Sequence, residues 1–137
     1  MYNKKLIPFL TFNGQAKSAM EFYKSVFPNA EITRNTPYGE SSAMAKAGDE
    51  EKILHGAIRI GDEEIIFLDM VGGFEAPAFA WSNSLLYDCE SEEEFDLLFN
   101  SLSNDGNVMM GPESVGDIRK CAWVVDKFGV TWQPVWQ

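Results

Sequence analysis

One order of apolar periodicities occurs twice within the 137 residues. Leu6–Phe12 reads as a strand, and Asn13-Gly14 breaks it. Ala16, Ala19, Met20, Tyr23, Val26 and Phe27 then recur at helical spacing, which predicts a helix over about Gln15–Phe27. Pro28-Asn29 stops it, and Glu31–Arg34 begins a second strand. A polar, Gly-containing stretch from Asn35 to Lys52 follows. Ile53–Ile60 and Ile65–Met70 then flank Gly61-Asp62, the pattern of a hairpin.

The second half repeats this order. Asn83–Cys89 reads as a strand. Ser91 with Glu94 has the spacing of a capping box, and Phe95, Leu98, Phe99 and Leu102 form an apolar stripe, so a helix is expected over about Glu92–Ser103. Asn104-Asp105-Gly106 supplies a left-handed stop. Val108–Met110 is a short strand, and Cys121–Val125 with Val130–Trp136 closes the chain as a second hairpin.

The plan is strand, helix, then three strands, made twice. Each module carries one helix and a sheet with an apolar face that it cannot bury alone. The expected fold class is α+β: two βαβββ modules, about 1–75 and 76–137 of a single domain, forming a curved eight-stranded mixed sheet around a cleft. Such a cleft is a common place for a small ligand.

Particular residues sharpen this plan. Pro8-Phe9-Leu10-Thr11-Phe12-Asn13-Gly14, then Ala19-Met20-Glu21-Phe22-Tyr23, then Phe27-Pro28-Asn29-Ala30 make up the opening segment. Ile53-Leu54-His55-Gly56-Ala57, Ile60-Gly61-Asp62 and Phe67-Leu68-Asp69 make up the centre. Cys121-Ala122-Trp123, Asp126-Lys127-Phe128-Gly129-Val130 and Trp132-Gln133 make up the end. In these motifs, over nearly its whole length, the chain resembles the PhnB-like branch of the vicinal oxygen chelate superfamily (glyoxalases, bleomycin-resistance proteins and dioxygenases). Relatives in this branch are often labelled ubiquinone-pathway methyltransferases, but no strand–glycine-rich turn–helix unit for S-adenosylmethionine is visible here.

In metal-dependent members of the superfamily, ligands come from the first and last strand of each module. The resemblance puts those positions at Pro8, near Phe67, at Asn83 and at Gln133. Pro and Phe offer no side-chain donor, and two neutral amides hold no divalent cation tightly. No metal and no other cofactor is therefore expected.

His55 is the single histidine. It reads either as a reactive or ligand-binding group or as a hydrogen-bonded wall residue. Asp69 ends the strand that pairs with the His55 strand, where a carboxylate can orient an imidazole or simply cap a strand end. Trp81, Trp123, Trp132 and Trp136 suit either a ligand-stacking wall or the core. Phe67, Asn83 and Gln133 complete the candidate ligand contacts, and the two amides can equally pair with backbone.

Composition removes several function classes. Asp and Glu number 21 against 11 Lys and Arg, a net charge of -10, which opposes nucleic acid and anionic membranes. No segment reads as a secretion signal or a membrane span, so a cytoplasmic protein is expected. Cys89 and Cys121 are too far apart for a zinc motif. Nucleophile-elbow, phosphate-loop and dinucleotide fingerprints are absent. Two readings remain. One is a metal-independent protein that sequesters a small aromatic or cationic molecule, in the manner of bleomycin-resistance relatives. The other is an enzyme acting on a small metabolite through His55 with Asp69. A homodimer is expected in either case, because the aromatic content leaves apolar sheet surface to cover.

Overall fold

The computed structural model describes residues 2, 4–39 and 43–137. Met1, Asn3 and residues 40–42 of the polar stretch lie outside them. The chain divides into two compact units, Met1–Pro77 and Ala78–Gln137. Among the described residues the fold is α+β, with eight strands in two four-stranded mixed sheets and one helix for each sheet.

The first module runs β1 (Phe9–Phe12), α1 (Ala16–Val26), β2 (Ala30–Pro37), β3 (Ile53–Ile60) and β4 (Glu63–Asp69). Its strand order is β1-β4-β3-β2, with β1 parallel to β4 and the other neighbours antiparallel. The second module runs β5 (Leu85–Cys89), α2 (Glu92–Ser103), β6 (Asn107–Val115), β7 (Ile118–Val125) and β8 (Thr131–Trp136). Its order, β5-β8-β7-β6, repeats the first, again with one parallel and two antiparallel pairs. These are the two βαβββ modules that the repeated periodicity predicted.

Each helix buries its apolar stripe on its own sheet. Ala16, Ala19, Met20 and Tyr23 of α1 are fully buried. The Tyr23 ring lies 6.0 Å from that of Phe67, which stacks in turn on Phe12 at 5.7 Å. Gly56 sits under this helix, where a Cβ would come within 2.8 Å of Met20 Sδ, so a larger residue would force the buried thioether to shift. In the second module Phe95, Leu98 and Leu102 are buried. The strands β1, β2 and β6 differ from expectation mainly at their ends, and β6 is much longer than the short strand read from Val108–Met110.

The helix starts differ in mechanism. Ser91 Oγ accepts from the Glu94 amide at 3.1 Å and caps α2 locally, while Glu94 Oε1 accepts from the Glu90 amide at 3.2 Å. Helix α1 has no side-chain cap from its own N-cap residue, Gln15. Asp69, at the end of β4, supplies it instead: Oδ1 accepts from the amides of Gly14 (2.8 Å) and Ala16 (3.0 Å). The left-handed residue after α2 is Asp105, at φ 59°.

Candidate functional site

His55 lies in β3, and β-pleat alternation decides what it faces. Gly56 and Ile58 turn toward α1, so His55, Ala57 and Arg59 turn to the opposite face, here called the far face. Residues directly paired across strands share a face. Ala57 pairs with Ile66 of β4, and Arg59 with Glu64, which puts both β4 residues on the far face.

Strand β2 brings a further residue there through an irregularity. Ile32 pairs with Ile58, but the next pair along is Arg34 with Ala57, so two residues of β2 match one step of β3. This is a β-bulge. Strict alternation would turn Arg34 toward the helix. The extra residue turns it to the far face, beside His55.

These side chains line a concavity of about 230 Å³. Tyr2, Thr33, Arg34, His55, Arg59 and Glu64 form its polar rim, over the nearly buried Ala57 and Ile66. Arg34 Nη1 lies 3.4 Å from His55 Nδ1, and Tyr2 Oη lies 3.2 Å from His55 Nε2. Arg59 is neutralised by Glu31 at 2.7 Å. Among the described residues Arg34 has no carboxylate partner.

Asp69 does not join this group. Besides the two amides at the start of α1, its Oδ2 accepts from the Ile53 amide at 2.9 Å, and the residue is 1% exposed. Its oxygens are spent on backbone, so the predicted carboxylate–imidazole pair with His55 is not formed. Tyr38 donates to the Asp69 carbonyl at 2.7 Å, and burial, with the nearby Asp69 and Asp49 charges, raises the Tyr38 pKa. Phe67 also faces away from His55. Gly56–Phe67 and Ala57–Ile66 are successive pairs, so Ile66 occupies the far face and Phe67 the core.

The second module repeats even the bulge: Val108 pairs with Val124, and Met110 with Trp123. By register, Val124 is the equivalent of Ile58, Trp123 of Ala57, and Cys121 of His55. Burial and the Glu113 carboxylate push the Cys121 thiol pKa up, which leaves it a poor nucleophile. Trp123 meets Trp81 edge to face at 5.6 Å, and its indole N–H is buried with no hydrogen-bond partner among the described residues. Trp81 is 55% exposed. Gln133 is the register equivalent of Ile66, and its Nε2 donates to Ser84 Oγ at 2.5 Å. Asn83 is exposed in the bend before β5.

The donors at the family metal positions do not fit a divalent ion. Pro8 precedes β1, the far-face residue of β4 is Ile66, and Asn83 and Gln133 are neutral amides. Among the described residues no three His, Cys, Asp or Glu side chains gather as a ligand set. Nor does any described helix have the length and apolarity to cross a membrane.

No curated protein matches the chain. Among solved structures, the PhnB protein from Bacillus cereus is 33% identical and superposes with a TM-score of 0.85, covering 98% of this chain and all of that one. Protein PA1353 from Pseudomonas aeruginosa is 23% identical, with a TM-score of 0.86 over 98% of both chains. The fosfomycin resistance protein FosX from Mesorhizobium loti shares the fold at 10% identity, with a TM-score of 0.62 over 98% of this chain and 92% of that one. Residues 4–135 match the family described as 3-demethylubiquinone-9 3-methyltransferase. The chain therefore belongs to that family, within the PhnB-like branch of the vicinal oxygen chelate superfamily.

Proposed function

We propose that this chain is a metal-independent binding protein for a small organic molecule, held on the far face of the first module against His55. One observation carries the reading: an imidazole, a guanidinium and a phenol converge on one concavity. Such a wall orients a ligand by hydrogen bonds and charge. Trp81, Trp123 and Gln133 are proposed contacts on the second module's own far face, with exposed Asn83 nearby in sequence. The protein works in the cytoplasm as a homodimer, with no nucleic-acid or membrane partner. Light scattering tests the dimer against the chain mass of 15.4 kDa.

The enzyme reading through a His55–Asp69 pair loses its geometric support, because Asp69 is committed to three amides. The test of the binding reading is a fragment screen by thermal shift, repeated with His55→Ala and with chelator. Hits should weaken several-fold in the variant, since losing one hydrogen bond costs about 1 kcal/mol, and they should ignore the chelator. A variant that binds as tightly as the parent would place the ligand elsewhere, and loss of binding on chelation would reinstate a metal.

A further inference from the structure

We infer that the group recognised on this face is a carboxylate, clamped by Arg34; the inference rests on the binding reading above and names its ligand class. Three observations support it.

The first is the bulge. A regular strand would turn Arg34 toward α1, and the two-for-one step between Ile32 and Arg34 turns it into the concavity instead. The second is the charge pairing around it. In a chain with 21 acidic residues, Arg59 on the same face has Glu31 at 2.7 Å, while Arg34 lies beside the His55 ring and, among the described residues, has no carboxylate partner. The third is geometry. The His55 contact engages Nη1, and among the described residues no other acceptor competes for the remaining guanidinium N–H groups. A guanidinium fork matches the two oxygens of a carboxylate in a planar, bidentate pair.

The rest of the pocket limits the ligand further. Glu64 lines the same concavity, so the site suits one negative charge better than two. Ala57 and Ile66 beneath Arg34 are nearly fully buried, so the ligand is held mainly by the polar rim. The expected ligand is therefore a small monocarboxylate. This replaces the cationic molecule of the first reading, because Arg34 offers a guanidinium with no carboxylate partner among the described residues.

The test uses the full-length, isotope-labelled chain and amide shift mapping. The probes are benzoate, its neutral isostere benzamide, and inorganic phosphate. Benzoate should move the amides of Thr33, Arg34 and Ala57, and benzamide should bind at least about tenfold more weakly, the usual weight of a charge-assisted bond. Arg34→Met should cost benzoate a similar factor. Arg34→Lys, which keeps the charge and loses the fork, should recover only part of it. Arg34 is exposed, so both variants should keep the parent amide spectrum elsewhere. If benzamide binds these amides as well as benzoate and Arg34→Met changes nothing, the carboxylate inference fails while the small-molecule face stands. If phosphate binds there and benzoate does not, the ligand class is wrong. If no probe moves these amides, the inference and the binding reading fall together.

Discussion

Where the first module sets Arg34 opposite Ala57, the second sets Met110 opposite Trp123. Where the first has His55, the second has a buried Cys121. Strand order, the parallel pair and the site of the bulge are the same in both modules. Backbone architecture and surface chemistry have thus been specified separately. The bulge is a device for aiming one extra side chain at the far face, and what it aims decides what that face can bind. A fold shared with relatives of different chemistry carries no function by itself.

The modules differ equally in how their frames are held, and the largest predicted effect follows from this. Asp69, in β4, satisfies three backbone amides, at Gly14 and Ala16 around the start of α1 and at Ile53 of β3. Asp69→Ala leaves buried donors unpaired and should cost about 3–5 kcal/mol, read by chemical denaturation. Ser91→Ala, at the locally capped α2, should cost only about 1 kcal/mol. Equal costs would mean that Asp69 is no more than a local cap.

Next in size is Gly56→Ala. The new methyl meets the buried Met20 side chain at 2.8 Å and should destabilise by about 1–3 kcal/mol through overpacking. The register equivalent in the second module is already alanine, Ala122. If Gly56→Ala is neutral, α1 has room to move and the glycine is not required by packing.

The pH response should also separate the modules. In the first, amides of Lys46 and Gly72 together with Lys52 hold the Asp49 pKa at about 2, below its ordinary 3.8. A lowered carboxylate contributes stability above its unfolded value, and that contribution disappears as pH falls from 3.8 toward about 2. In the second, burial raises Tyr87 and Cys89 to about 12, with Glu94 adding to both. Those groups stabilise below their ordinary values of 10.0 and 9.0, and the contribution is lost as pH climbs toward about 12. Melting curves of Asp49→Asn should therefore flatten the acid limb, and those of Cys89→Ala the alkaline limb. An unchanged limb in either variant would remove that group from the account.

Legibility in the sequence followed the range of the interaction. The repeat, both helices, the Ser91 cap and the Ile53–Ile60 strand are local patterns, so period and composition reveal them. Asp69 capping α1 was hidden because donor and acceptor lie 53 residues apart or more. Phe67 was assigned to a ligand wall because a one-residue choice of register decides which face a strand residue takes, and the sequence carries no mark for it. Arg34 was missed for a related reason: a bulge breaks alternation without a signature in Ile32-Thr33-Arg34. Tyr2 offered no signal at all, since its contact with His55 joins residues 53 apart. His55 stands out in the sequence as the single histidine, inside the Leu54-His55-Gly56-Ala57 motif.

The most direct test of the proposed site is a crystallographic fragment screen on the full chain. The account predicts ligand density on the far face of the first module, within hydrogen-bond distance of His55 or Arg34 and over Ala57. Fragments found repeatedly at other places, with that face empty at the same concentrations, would contradict it.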